Sequence, residues 1–404
     1  MKRQTNISTS KKSSLILFSW ISYIKAGYCS PPTPPLLEIS LDTSKIETVF
    51  EWKKDKCFDG DIPDSPARAF KSKDGSVFLY TSHPQNTPLV GKHLNNVTPS
   101  CKHTFFASTD QNPENFDDLI WLQTFYTKDG STIYSLGSSD YHGTRFKICP
   151  KPLNESSDCW WSAIILATST DGGNTFSTAS PPKHVIARAP HKFSKNPGKP
   201  AGFFTTSNII YRDNFYYTLI YTYGYKGQKQ GNCLIRTDNL SNPLSWRTWD
   251  GSGFNRHFVN PEHPDTENPE DYTCTIIPEI KNKVRSLLWH ETTKQYIAIY
   301  EDYQKSTKDD TFPNIQFKYT QSKDLLNWSQ SKTLYTIKTP QNCKKMIIAA
   351  AYPSILDPDS RDMNFGTISN HGFLYFTRFN PASSCKTTFD RDLVRIPLTI
   401  NSHE

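Results

Sequence analysis

The feature that most constrains this chain is a two-part pattern that recurs along it. The first part is a turn with Gly or Asn leading into an aromatic-rich strand: "DGSVFLYTSH" at 74–83, "DGSTIYSLGSSDYHG" at 129–143, "RDNFYYTLIYTYG" at 212–224, "TKQYIAIYEDY" at 293–303 and "HGFLYFTRF" at 371–379. The second part is a strand ending in Ser or Thr, an Asp and an aromatic residue. It appears as "FFASTDQNPENF" at 105–116, "ILATSTDGGNTF" at 165–176, "LIRTDNLSNPLSW" at 234–246 and "FKYTQSKDLLNW" at 317–328, and the chain closes on "RDLVRIPL" at 391–398. Copies spaced by about 50 to 80 residues are what a radial array of small antiparallel sheets requires, because repetition around an axis protects each sheet's edges. The expected fold is all-β, a five-bladed β-propeller of antiparallel sheets. A large β-sandwich also yields many short strands, but it has no reason to repeat one paired motif five times. Composition agrees: 13% aromatic residues, with 28 Pro and 18 Gly as punctuation, leave no room for sustained helical periodicity.

The start of the chain stands apart from this pattern. Lys2, Arg3, Lys11 and Lys12 precede the apolar run "SSLILFSWISYI" and then "KAGYCS", the layout of a secretory signal and too short for a membrane span. The expectation is a signal peptide over 1–26, an N-terminal extension over 27–50, and one propeller domain over 51–404, exported to the periplasm or beyond the cell. A lipid-modified Cys29 is the weaker alternative, since Tyr28 stands where a small residue would be needed. The chain's 46 basic residues include five within 1–26, which holds no acid, so the remainder carries 41 basic against 39 acidic side chains, a net charge of +2. The basicity is thus mostly an export signal and gives no case for nucleic-acid binding.

Apart from Cys29, eight cysteines remain, and an even number in an exported chain reads as disulfides. The pairing is open. Cys149 with Cys159 would close a short loop, and sequential pairing of Cys57, Cys101, Cys233, Cys274, Cys343 and Cys385 is the simplest completion. Sequons fall at Asn96, Asn154, Asn239 and Asn327.

The stretch "DIPDSPARAF" sets the first candidate site. Pro63 and Pro66 deny it a helix and hold the preceding residues extended, so Asp64 and Arg68 sit where a strand begins. In a propeller, the start of each innermost strand and the end of the second strand share one face. Strand starts place Asp64, Arg68, Ser207, Asn208, Tyr352 and Ser354 at a central funnel. Strand ends add His83, Asp140, Tyr141, His142, Tyr223, Glu301, Asp302 and Arg378.

The repeated pattern, the early acid in "PDSP" and the turn "RDNFYYTLIYT" resemble the five-bladed β-propeller glycosidases of glycoside hydrolase family 43 and its relatives, over most of Cys57 to Pro397. The segments "ARAF", "DYHG", "CWWSAI", "STDGGNTF", "WRTWDGSGF" and "RDLVRIPL" are closer still to a group of exported propeller proteins. The resemblance implies that Asp64 is the general base. It also implies a second Asp that tunes the pair, and an acid-donating Glu ahead of the third inner strand. This sequence departs there: "FFTTSNIIYRDN" carries Thr206, Ser207 and Asn208 and no carboxylate before Asp213. No organic cofactor is implied, although similar glycosidases allow for a calcium ion in the central channel.

Cleaving a glycosidic bond needs one protonated and one ionised carboxyl. Asp140 and Glu301 are therefore the candidates to complete Asp64, and His83 or His142 could also supply a proton. Arg68 and Arg378 are candidates to hold a carboxylate or sulfate on the sugar, with Tyr141, Asn208, Tyr223 and Tyr352 as further binding residues. Trp160, Trp161, Trp246, Trp249 and Trp289 read as packing between blades.

Two rival functions follow. A non-catalytic glycan-binding propeller would hold a sugar in the same funnel uncut. A sialidase is suggested by "STDGGNTF", which fits the Asp-box turn, and would need three arginines around the substrate carboxylate, for which Arg68, Arg236 and Arg378 can be nominated. Either way the expected partner is a carbohydrate bound by a monomer. Phosphate loops, H-E-x-x-H zinc motifs and G-x-S-x-G elbows do not occur in the sequence.

Overall fold

The computed structural model describes residues 36–81, 83–149, 159–303, 314–338, 348–381 and 387–403. The expected signal segment, Cys29, the sequon at Asn154, Cys343 and Cys385 lie outside these residues. The described chain is all-β, and its strands fall into five groups taken in sequence order. The first group runs Arg68–Lys71, Val77–Tyr80, Leu89–Gly91 and Thr98–Pro99. The second runs Ile120–Thr127, Ile133–His142 and Trp160–Ser169; the third runs Ala201–Thr206, Phe215–Thr222, Gly231–Thr237 and Arg247–Thr248. Val284–His290, Gln295–Tyr303, Ile315–Ser322 and Lys332–Ile337 make the fourth, and Ala350–Leu356, His371–Phe379 and Arg391–His403 the fifth. Neighbours within each group pair antiparallel. The second and third groups are also joined by a short parallel contact of Ala201 and Gly202 with Trp161 and Ser162. Gly202 permits that approach: its φ is +101°, and a Cβ there would collide with the Ser162 carbonyl.

The expected extension over 27–50 needs correction from Leu36 onward. Leu36–Leu41 pairs along the last strand from His403 to Leu398, and Glu47–Phe50 pairs with the same strand at Leu393 to Arg395. The physical reason is the alternation of this segment, which buries Leu37 and Ile39 in the cluster shared by the fourth and fifth sheets.

Five apolar clusters fill the spaces between sheets. Phe70 and Phe78 meet Ile120 and Trp161 between the first and second; Leu136 and Ile164 meet Phe203 and Ile220 between the second and third. Leu219 and Leu234 meet Leu287 and Ala298 between the third and fourth; Ile297 and Phe317 meet Ile355 and Phe376 between the fourth and fifth. The remaining cluster joins Leu356, Tyr375 and Leu393 of the fifth sheet to Ala69, Val77 and Leu79 of the first. Every sheet is thus buried on both faces, the condition under which these short strands stay paired.

Among the described residues three disulfides are present, Cys57–Cys101, Cys149–Cys159 and Cys233–Cys274, each joining cysteines consecutive in sequence. The turns at Asp171, Asn239 and Asp324 follow the third strands of the second, third and fourth sheets and are knitted internally. The Ser169 hydroxyl bonds the Asp171 carboxylate at 2.7 Å, the Ser322 hydroxyl bonds Asp324 at 3.0 Å, and the Asn239 amide donates to the Thr237 hydroxyl at 2.9 Å. Their polar groups are spent within the turn.

Candidate active site

Asp64 is set by its own turn. The backbone amides of Asp64 and Ser65 donate to the Thr81 carbonyl at 2.7 and 3.2 Å, so the proline-restricted segment is pinned to the end of the second strand. The side chain lines a cavity of about 220 Å³ together with Asp140, Trp121, Trp160, Lys283 and Arg285, among others. One carboxylate oxygen, Oδ1, is held by the guanidinium of Arg391 and by the Tyr352 hydroxyl at 3.2 Å. The other, Oδ2, has no partner among the described residues.

The cavity exists because four first strands are irregular at comparable places. Each breaks register with its neighbour: Ile120–Thr127 around Gln123, Ala201–Thr206 around Thr205, Val284–His290 around Arg285, and Ala350–Leu356 at Tyr352 and Pro353. A bulge adds a residue to one strand and re-aims its side chain. Gln123, Thr205, Arg285 and Tyr352 all line this one cavity. Tyr352 has a φ of +61°, a costly conformation for an aromatic residue and one concentrated at functional sites. Its amide donates to Glu301 at 3.0 Å, its ring lies 4.9 Å from the Arg285 guanidinium, and its hydroxyl reaches Asp64.

Asp140 stands at the end of the second sheet's middle strand. Its Oδ1 accepts from the hydroxyls of Ser138 at 2.6 Å and Ser162 at 2.8 Å, and its Oδ2 has no described partner. Desolvation raises its pKa against the opposing pull of those hydroxyls, His142 and Lys283. The two acids therefore share a cavity and differ in surroundings: Asp140 is favoured as the neutral acid, whereas Asp64 is paired with a cation.

Glu301 lines an adjoining cavity of about 450 Å³, which shares Lys283, Arg285 and Tyr352 with the first and also takes in Tyr223. Its carboxylate does not stand free as a proton donor. Oε1 accepts from Arg285 Nε at 2.9 Å and Nη2 at 2.5 Å, and both residues are buried. Burial is the largest single influence and works against the Arg285 charge, but Glu301, Tyr352 and Tyr303 together outweigh it and the guanidinium is held above its usual range.

Several expected binding residues are employed elsewhere. Arg68 is buried at the meeting point of four first strands, where it donates to the carbonyls of Ala67, Thr206 and Arg285 and to the Ser354 hydroxyl. Among the described residues it faces no anion, and desolvation, joined by the Arg285 charge, lowers its pKa to about 9. At that centre the guanidinium takes carbonyl oxygens of the kind that a calcium ion would need. Among the described residues no cluster of three His, Cys, Asp or Glu could hold a metal. Arg378 pairs with Asp392 across the fifth sheet at 2.8 Å and does not line either cavity. Asn208 follows the third sheet's first strand, which starts at Ala201, and its buried side chain accepts from the Leu287 amide at 3.1 Å. Tyr141 is fully buried against Phe146 and Phe193, its hydroxyl donating to the Gln111 carbonyl at 2.9 Å. The three arginines nominated for a sialidase do not meet in one cavity, since Arg236 lies over the rings of Phe215 and Phe254 in the third sheet.

The histidines divide. His142 lines the Asp64 cavity against the Trp160 ring, 4.8 Å away. His83 lies behind Asp64, half-buried beside Phe58; burial lowers its pKa despite the pull of Asp64. Of the tryptophans, Trp161 and Trp246 are core, Trp160 is a cavity wall, and Trp121 joins it there. Lys283, Arg285, Gln123 and Trp121 were not among the residues the sequence singled out. Lys283 immediately precedes the strand Val284–His290, and the register shift at Arg285 hides both residues from a two-residue period.

Neither a protein-family model nor a curated protein matches the sequence. Solved structures do resemble the chain. A putative glycosidase from Bacteroides thetaiotaomicron is 10% identical with a TM-score of 0.49, over 89% of this chain and 93% of its own. The α-L-arabinanase of Cellvibrio cellulosa is 12% identical with a TM-score of 0.46, over 82% and 90%. A glycosyl hydrolase from Bacteroides ovatus is 8% identical with a TM-score of 0.46, over 84% of each chain. These are distant likenesses, and none lends a residue its role.

Proposed function

We propose that the protein is a secreted glycoside hydrolase, a monomer that binds an oligo- or polysaccharide in the central funnel of a closed five-bladed β-propeller. The observation that carries the chemistry is the pair Asp64 and Asp140: two carboxyls in one cavity, each with Oδ1 anchored and Oδ2 open among the described residues, Asp64 beside the Arg391 guanidinium and Asp140 desolvated toward its neutral form. Environments that push two carboxyls apart assign the acid and the base. Asp140 gives its proton to the departing glycosidic oxygen as the C–O bond breaks. Asp64, ionised beside Arg391, takes the proton of the attacking water or attacks the anomeric carbon itself. Trp121 and Trp160 offer ring faces on which a sugar stacks, and Glu301 acts as a positioning residue that fixes Arg285 and the backbone of Tyr352. The apolar cluster joining the fifth sheet to the first supports closure of the propeller, and the three disulfides support export into an oxidising compartment.

A glycan-binding protein without catalysis is the second reading. It is favoured by the third sheet, whose contribution to the cavity is Thr205 and Phe204 and no carboxylate. Turnover and binding of a panel of oligosaccharides, acidic ones included, by the mature protein and its Asp64→Asn variant separate the two. A hydrolase loses turnover by roughly a thousandfold or more in the variant while binding persists. Binding in both proteins with turnover in neither leaves the glycan-binding reading standing alone.

A further inference from the structure

The cations of the cavity are not equivalent. Arg285 is matched by Glu301 and also donates to the Thr205 hydroxyl at 3.1 Å; Arg391 is matched by Asp64. Lys283, which lies in the wall shared by the two adjoining cavities, has neither ion pair nor hydrogen bond among the described residues. Its ammonium faces the rings of Tyr223 at 4.7 Å and Tyr221 at 5.8 Å, contacts that favour a cation but engage none of its three N–H donors. Protein surrounds it closely enough that desolvation, joined by the Arg285 charge and opposed by Glu301 and Asp140, lowers its pKa to about 8. Glu301 and Asp140 act on this charge from a distance, but among the described residues neither reaches its N–H donors, so an anion entering the pocket would satisfy them.

We propose that Lys283 is the anion-recognition residue of this pocket and that the sugar it takes carries an acidic group, a carboxylate or a sulfate. This rests on the reading of the cavity as a carbohydrate site. It also relocates the recognition expected of Arg68 and Arg378, since Arg68 is buried among carbonyls, Arg378 pairs with Asp392, and neither lines the two cavities. A neutral sugar would use the tryptophan walls and the two acids but would leave the Lys283 donors unmatched. An acidic substituent placed toward the second cavity satisfies them, with Asn282 and Gln230 alongside to bond its remaining oxygens.

The test reads binding, so that it survives if the chemistry assigned above fails. Tetrasaccharides of three kinds, neutral, uronate-containing and sulfated, are titrated calorimetrically into the mature protein and into Lys283→Met and Lys283→Arg. The expected result is a preference of about 10- to 100-fold for at least one acidic kind, the size of a charge-assisted hydrogen bond. Lys283→Met should abolish that preference while leaving neutral affinity within about twofold, and Lys283→Arg should restore part of it. Which acidic kind is preferred identifies the group. Equal binding of neutral and acidic sugars by the unaltered protein, or an acidic preference that persists in a folded Lys283→Met, overturns the proposal. Should the Met variant fail to fold, the unaltered protein's preference and the Arg variant still decide it. Lysine-dependent binding of an acidic sugar that is never cleaved would uphold this inference and sink the hydrolase.

Discussion

The two ends of the same first strands are built on different principles. Toward their starts the bulges turn Gln123, Thr205, Arg285 and Tyr352 into the Asp64 cavity. Past Tyr126, Ile209, Trp289 and the loop of Asp362 lies a second, larger cavity of about 510 Å³. Its charges are consumed locally. Asp362 accepts from the amides of Gly366 at 2.8 Å and Asn364 at 3.0 Å within its own loop. Arg212 donates to the Tyr296 hydroxyl at 3.1 Å and the Lys323 carbonyl at 2.9 Å, and pairs with Asp213. At the Asp64 end, Arg391 pairs with Asp64 and Glu301 with Arg285, and two carboxylate oxygens and an ammonium are left open among the described residues. The smaller cavity is the one with chemistry to offer, because what distinguishes it is unspent polar capacity rather than volume.

Three substitutions test that contrast, beyond the two experiments already described. The largest effect is expected of Asp140→Asn, which should lower turnover by roughly 10²- to 10⁴-fold, the worth of a general acid. It should also remove a limb of the pH–rate profile. Asp140 donates only while protonated and its pKa is raised, so the unaltered protein loses activity as pH rises through that value. A variant that kept the same alkaline fall would take the acid role away from Asp140. Glu301→Gln comes next. Stripping the buried Arg285 of its counter-charge should cost about 3–5 kcal/mol in denaturant unfolding, and an unchanged midpoint would mean the pair does not hold the pocket. Asp362→Asn at the opposite end should leave turnover within about twofold and lower stability by only about 1 kcal/mol, one loop's hydrogen bonds. A tenfold loss of turnover there would erase the distinction between the two ends.

Much of the framework was legible along the chain. The repeated Gly or Asn turns fall before the second strands of the five sheets, and Val77–Tyr80, Ile133–His142, Phe215–Thr222, Gln295–Tyr303 and His371–Phe379 lie where the aromatic runs predict. Asp64 and Asp140 reach one cavity, as the rule of shared strand ends requires. The first strands of the second and fourth sheets were harder to see. "LIWLQTFYT" and "KVRSLLWH" bear no turn signature of their own, and a bulge breaks the two-residue period by which a cavity-facing side chain would be recognised. That is how Gln123, Lys283 and Arg285 escaped notice. Asn208 misled for a related reason: the third sheet's first strand starts at Ala201, which carries Asn208 past the funnel and into a tie with Leu287.

Arg68 shows where sequence reading ends. A guanidinium at a strand start serves equally well to clamp an anion or to gather carbonyls, and the choice falls to whatever surrounds it. By itself the sequence determined the order of strands, the turns between them and the placement of Asp64 just ahead of a strand, since proline, glycine and alternation act over a few residues. Only the tertiary structure decided which charges are spent and which remain. Arg391 reaches Asp64 across 327 positions of sequence and the Ser354 hydroxyl meets Arg68 across 286, while Lys283 is left with none, because pairing of charges is settled by distance in space and by the water excluded around them.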